Sequence, residues 1–138
     1  MSRAFSCRIY GVLYEGGKVL LTRSRFRGRE FVNFPGGGVE IEEAPMDALH
    51  REFFEETGLS IRHTRCLHSS EAAHLSTQAP VQIVSAYWLV ERAGGELRLT
   101  GNGDDVLSLF WADPGALPRA EMFPADLEFA ERLPGLLK

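Results

Sequence analysis

Gly37-Gly38-Val39-Glu40-Ile41-Glu42-Glu43-Ala44-Pro45-Met46-Asp47-Ala48-Leu49-His50-Arg51-Glu52-Phe53-Phe54-Glu55-Glu56-Thr57-Gly58-Leu59 is the stretch that decides the fold. Its second half has helical periodicity over 45–57. Pro45 suits a first helical turn, where its missing N–H costs nothing. Gly58 suits the left-handed position past the helix end, with Leu59 folding back on Phe54 as in a Schellman motif. On a wheel of about 100° per residue with Glu52 at zero, Glu55 falls near about -60° and Glu56 near about +40°. Three carboxylates share one face, while Met46, Leu49 and Phe53 form a separate apolar stripe that should meet a sheet.

Crowded carboxylates repel unless a counter-charge is present. Solvent is one remedy, and a solvated acidic face is the plainer reading. A divalent metal is the other, since hard cations take oxygen ligands and leave positions for phosphate. Arg51 lies four residues before Glu55 and is placed to pair with it. The run Pro35-Gly36-Gly37-Gly38 reads as a flexible loop whose backbone can approach a ligand closely.

Working outward, residues 5–15 are apolar-rich, and Gly16-Gly17 separates them from Lys18–Thr22, which predicts a tight hairpin. Residues 23–34 read as irregular and arginine-rich. Strands are expected over 61–68, over 81–90 as a central strand covered on both faces, and over 107–112. A second helix is expected over 125–133, with Leu127, Ala130 and Leu133 inward. This order gives an α+β class, a mixed sheet between helices, in one domain spanning 1–138.

The chain has 138 residues, 44% hydrophobic and 25% charged, with a net charge of -4. That excludes disorder and gives no basis for general nucleic-acid binding. Cys7 and Cys66 do not have metal-ligand spacing and read as buried free thiols. Met1–Cys7 lacks an apolar run for a signal peptide, and no segment nears about 18 apolar residues, so a cytoplasmic protein without a membrane span is expected.

The fixed positions Gly37, Glu43, Arg51, Glu52, Glu55, Glu56 and Gly58, with apolar Phe53 and Leu59, resemble the catalytic box of the Nudix family. The approach Phe34-Pro35-Gly36-Gly37 looks like that family's approach to the box. The resemblance implies an α/β/α sandwich and hydrolysis of a nucleoside diphosphate linked to another group. It implies Mg²⁺ or Mn²⁺ on Glu52, Glu55 and Glu56, with the backbone of Gly36 or Gly37 as an extra ligand. It makes Glu43 and Arg51 supporting residues, and Glu55 or Glu56 the group that positions or deprotonates water. It is also compatible with a homodimer.

A further acid outside the box is sought at Asp104, Asp105 or Glu71; ordinary polar turns are the plainer reading of each. Arg23, Arg25, Arg27 and Arg29 alternate, so an extended segment would put all four on one side, ready for phosphate or for a solvated edge. Phe31 and Phe34 could stack on a base or pack in the core, and His74 lies in a loop that could complete a site or stay on the surface. A non-catalytic nucleotide-binding sensor is the alternative to a hydrolase.

Overall fold

Gly16 and Gly17 take φ values of 58° and 78° and join β1 (Ala4–Glu15) to β2 (Lys18–Phe26) in the expected tight hairpin. The structure, a computed structural model, describes residues 4–137. The reading of Met1–Arg3 as free of a leader, and the two ends of the 1–138 span, lie outside the described residues.

The expected irregular segment 23–34 is instead a second hairpin. β2 continues to Phe26, Arg27 and Gly28 turn with φ of 51° and 77°, and β3 (Arg29–Asn33) returns in register from Arg29↔Phe26 to Asn33↔Thr22. The turn signal was hidden because Arg, not Gly or Asn, occupies its first positive-φ position. The expected glycine loop is also ordered: Gly36–Gly38 forms β4 and pairs with β1 through Tyr10↔Gly36, Ile9↔Gly37 and Arg8↔Gly38.

α1 (Pro45–Thr57), β5 (Leu59–Ser69), β6 (His74–Leu75), β7 (Val81–Gly95) and β8 (Val106–Ala112) follow, then a 3₁₀ turn at Arg119–Glu121 and α2 (Pro124–Leu136). The strands run β3-β2-β1-β7-β5, with β4 also on β1, β6 on β7 and β8 on β2. β1 and β7 are parallel and the other pairs antiparallel, which makes the mixed sheet expected. β7 lies between β1 and β5, an interior strand as expected, but it is not covered on both faces throughout 81–90, because Val84 is exposed.

Strand alternation divides the core into two layers. Ile9, Leu13, Leu20 and Val90 meet Ala48, Leu49 and Phe53 of α1. Tyr10, Val12, Val19, Leu21 and Tyr87 meet Phe129, Ala130 and Leu133 of α2. The apolar stripe of α1 therefore faces the sheet as the wheel predicts, and Leu127 is only partly covered.

At the end of α1, Gly58 has φ 86° and its N–H donates to the Phe54 carbonyl, while the Leu59 N–H donates to Thr57 Oγ1. This is the single-bond left-handed cap, not the Schellman form. Leu59 turns into the core and Phe54 stays half-exposed, so they do not fold together. The cysteines are free but exposed, not buried. α1 covers its face of β1 from Ile9 onward, and Cys7 with its register partner Val84 lies beyond that cover. Among the described residues no helix is long and apolar enough to cross a membrane.

β1 has a glycine where α1 comes nearest. A Cβ on Gly11 would stand 2.7 Å from two ring carbons of Phe53 and 3.4 Å from Leu49. Gly11→Ala is expected to destabilise the fold by roughly 1–3 kcal/mol through overpacking, read as a lower midpoint in urea.

Candidate active site

The glycine strand and the acidic helix are built onto each other. Gly36 has φ 149°, and a Cβ there would lie 2.2 Å from the Ile9 carbonyl oxygen. A Cβ on Gly37 would lie 2.8 Å from the Glu52 carboxylate. The Gly36 N–H donates to Glu56 Oε1 at 3.1 Å. Gly36, Gly37, Glu52 and Glu56 are thus brought together as the sequence predicts.

The other box residues brace this arrangement. Arg51 donates from Nε and Nη2 to the two Glu43 oxygens at 2.8 and 3.0 Å, and from Nη1 to Glu52 at 3.1 Å. Its contact with Glu55 is a long 3.5 Å. Glu43, not Glu55, is therefore the main partner of Arg51, because two parallel hydrogen bonds outweigh one stretched one. The Glu40 N–H donates to Glu43 and closes the connecting loop. Arg51 holds the Glu43 carboxyl below its usual range.

The three helix carboxylates are not equivalent. Glu55 has 54% of its side chain exposed and Glu52 20%, while Glu56 is buried. Burial pushes Glu56 up to about 8 against the pull of the Gly36 N–H, with the charges of Glu52 and Asp105 adding to the rise. Burial also raises Glu52, opposed by Arg51. Among the described residues no three His, Cys, Asp or Glu side chains converge on one point as they stand. Glu52 and Glu56 nevertheless offer oxygen donors beside a Cβ-free strand, with excess negative charge that a divalent cation would neutralise. The donor set fits a hard cation.

On the α2 side of β1 lies a cavity of about 350 Å³. Phe31 and Phe123 line it with ring centroids 4.7 Å apart. Asn33 accepts the Thr22 hydroxyl at Oδ1 (2.6 Å), which leaves its amide N–H groups for a ligand. Asp126, buried in the first turn of α2, accepts the Tyr87 hydroxyl. Burial pushes Asp126 up to about 6, against that hydrogen bond and the charge of Arg8. Arg8 enters from β1 and donates from Nε to the Tyr10 hydroxyl at 2.6 Å. Arg8, Asn33 and Asp126 were not anticipated. The available signal was a single charged residue, Arg8, inside the apolar run of β1.

The expected substrate residues scatter. Arg25 lines the cavity but pairs with Glu30 at 3.0 Å. Arg23 pairs with Glu121 at 2.8 Å and covers Phe110, outside the cavity. Arg27 sits in the turn and donates to the Gln78 carbonyl, and Arg29 covers Phe123, so the four do not share a side. Phe34 is fully buried against Tyr87 and Phe129, which makes it core and leaves Phe31 at the cavity.

His74 donates toward Glu128 at 3.1 Å instead of facing the cavity. Glu128 also receives His68 and the N–H groups of Glu71 and Ala72. Burial works to raise the Glu128 carboxyl, but these four contacts win and hold it down to about 2. They hang the segment that carries Leu75–Ala79, one wall of the cavity, on α2. Of the extra acids, Asp105 lines the cavity and receives the Arg25 N–H at its carbonyl. Asp104 stays in an exposed turn, and Glu71 pairs with Arg132 at 2.6 Å.

Glu56 binds its proton more tightly folded than unfolded, so this contribution to stability is full below about 4.5 and is lost as pH rises to about 8. Metal-free protein should show a midpoint temperature that falls over that window, and Glu56→Gln should flatten the slope.

The NUDIX domain family model matches residues 4–133. The 8-oxo-dGTP diphosphatase of Haemophilus influenzae is 31% identical over 123 residues, covering 86% of this chain and 83% of that one. An RNA pyrophosphohydrolase of a Psychrobacter species is 41% identical over only 44 residues, 32% of this chain and 25% of its own. The solution structure of the E. coli ORF135 protein superposes with a TM-score of 0.80 at 22% identity, covering 98% of this chain and 92% of that one.

Proposed function

This chain belongs to the Nudix family of pyrophosphohydrolases, and from that premise we propose that it hydrolyses the pyrophosphate bond of a nucleotide whose base enters the α2-side cavity. The chain acts as one domain. Nudix hydrolases generally use divalent metals, and here Mg²⁺ or Mn²⁺ would be held by Glu52, Glu56 and the backbone of Gly36 or Gly37, with Glu55 joining from solvent. The observation that carries this reading is the buried Glu56, fixed by the Gly36 N–H, with Glu52 and Asp105 adding negative charge around it.

The cation, when bound, neutralises phosphate oxygens and activates the attacking water. The chain's own residues do the rest. Glu43 and Arg51 keep the loop and helix in one geometry. Glu55 or Glu56 takes the water proton: Glu56 has a held position, and Glu55 is free to swing from solvent. Phe31 and Phe123 offer ring faces to a base, the Asn33 amide can donate to a base carbonyl, and the second Asp126 oxygen can accept from a base N–H. That pattern suits a purine edge carrying a carbonyl beside an N–H. It also agrees with the substrate in the name of the Haemophilus relative.

A panel of nucleoside triphosphates and nucleotide-linked diphosphates, assayed with Mg²⁺ and with Mn²⁺, should reveal turnover. Glu52→Gln, Glu55→Gln and Glu56→Gln should each lower kcat by about 10²-fold or more. Tight nucleotide binding without turnover across the panel would instead make the chain a sensor. Equal metal binding by wild type and Glu52→Gln/Glu56→Gln in calorimetry would remove the metal assignment.

A further inference from the structure

Arg8 is a charged residue in an otherwise apolar stretch of β1, and the reaction as described leaves it without a task. A cation in such surroundings costs free energy unless it is paired. Strand alternation sends it to the same side as Tyr10 and Val12, toward the cavity. Its Nε is used by Tyr10, but among the described residues neither Nη nitrogen has a hydrogen-bond partner. Its charge acts on Asp126, Glu52 and Glu56, yet it forms an ion pair with none of them. The other arginines of the region are committed: Arg51 to Glu43, Arg25 to Glu30 and Arg23 to Glu121.

The position of the unused fork is telling. A Cβ on Gly38 would stand 3.7 Å from Arg8 Nη1, so the guanidinium lies beside the glycine strand. Arg8 lines both the cavity and a smaller depression bounded by Val39 and Pro45, next to the box loop. Ser85 is its register partner across the parallel β1–β7 pair and lines the same two spaces. The Ser85 hydroxyl is buried and, among the described residues, has no hydrogen-bond partner. Two unsatisfied donors therefore stand together between the base cavity and the carboxylate face. The buried Ser85 hydroxyl is costly to leave unpaired, and the Arg8 Nη nitrogens, which reach solvent, are open to a ligand.

We propose that Arg8, with the Ser85 hydroxyl beside it, binds the non-bridging oxygens of the substrate phosphate nearest the nucleoside. The proposal rests on the reading of the cavity as the base site. A nucleotide with its base against the Phe31–Phe123 pair and its scissile bond at Glu52 and Glu56 must lay that phosphate across the boundary Arg8 occupies. Glu52, Glu56, Asp105 and Asp126 would repel it there. A guanidinium is always charged, and its planar fork matches two phosphate oxygens.

The test is calorimetry on the full, metal-free chain with each of the four common deoxynucleosides and its 5′-monophosphate. Wild type should bind one monophosphate about 10-fold or more tighter than the matching nucleoside. Arg8→Met should erase that preference while nucleoside affinity stays within about twofold, and Arg8→Lys should restore part of it, as charge without the fork. In turnover, Arg8→Met should raise KM about 10-fold with little change in kcat. Ser85→Ala removes a hydroxyl that has no partner, so it should fold as wild type does and narrow the preference by about threefold. It carries the test if Arg8→Met does not fold.

Equal losses for nucleoside and monophosphate in Arg8→Met, or a preference unchanged in both Arg8→Met and Ser85→Ala, would overturn the proposal and leave the cavity reading standing. Wild type that binds neither probe of any pair would overturn the cavity reading, and the proposal with it.

Discussion

The approach of the Gly36–Gly38 backbone to β1 is the contact on which the rest of the structure depends. At Gly36 a single added carbon would meet the Ile9 carbonyl at 2.2 Å, and at Gly37 it would meet the Glu52 carboxylate at 2.8 Å. Only glycine permits both approaches. Because the strand lies that close, the Gly36 N–H can reach Glu56 and the last turn of α1 is held against the sheet. Phe53, on the apolar stripe beside the acidic face, fills the space left by Gly11 and packs the helix on β1. The acidic face and the sheet therefore form one rigid unit, and the position of the carboxylates is set by backbone packing.

Charge is distributed around that unit in a consistent way. Positive charge is spent on holding geometry: Arg51 locks the loop through Glu43, and Arg23 and Arg25 tie the hairpin edge to Glu121 and Glu30. Burial makes Glu56 and Asp126 hold protons more tightly than exposed acids do, with the charges of Glu52 and Asp105 adding to the rise at Glu56. A second acid on α2, Glu128, behaves in the opposite way, because two histidines and two backbone N–H groups surround it. One helix thus presents Asp126 to the cavity and uses Glu128 to fix the wall beside it.

Much of this was readable from residue spacing. The limits of α1, its proline start and its glycine end depend on neighbours within a few residues, and local chemistry dictates them. The separation of the carboxylates from Leu49 and Phe53 follows from helical geometry alone. The hairpin at Gly16-Gly17 and the central place of β7 follow from turn chemistry and from a continuous apolar run. The second hairpin was missed because its strands, rich in Arg and Phe, show no apolar alternation, and the glycine strand because glycines carry no pairing signal of their own.

What the sequence determined by itself is the acidic helix, its proline start and left-handed glycine end, and the grouping of Gly37, Glu43, Arg51, Glu52, Glu55 and Glu56, since all lie within one loop and one helix. Tertiary structure decided which arginine is committed and which is free, that Phe34 is core while Phe31 faces the cavity, that Arg51 prefers Glu43 to Glu55, and that Asp126 and Asp105 share a space with Arg8. These depend on partners far apart in the chain, such as Arg23 and Glu121 at a separation of 98 residues. Local propensity is blind to such distances, because the strands and helices that bring these partners together must pack before the side chains can meet.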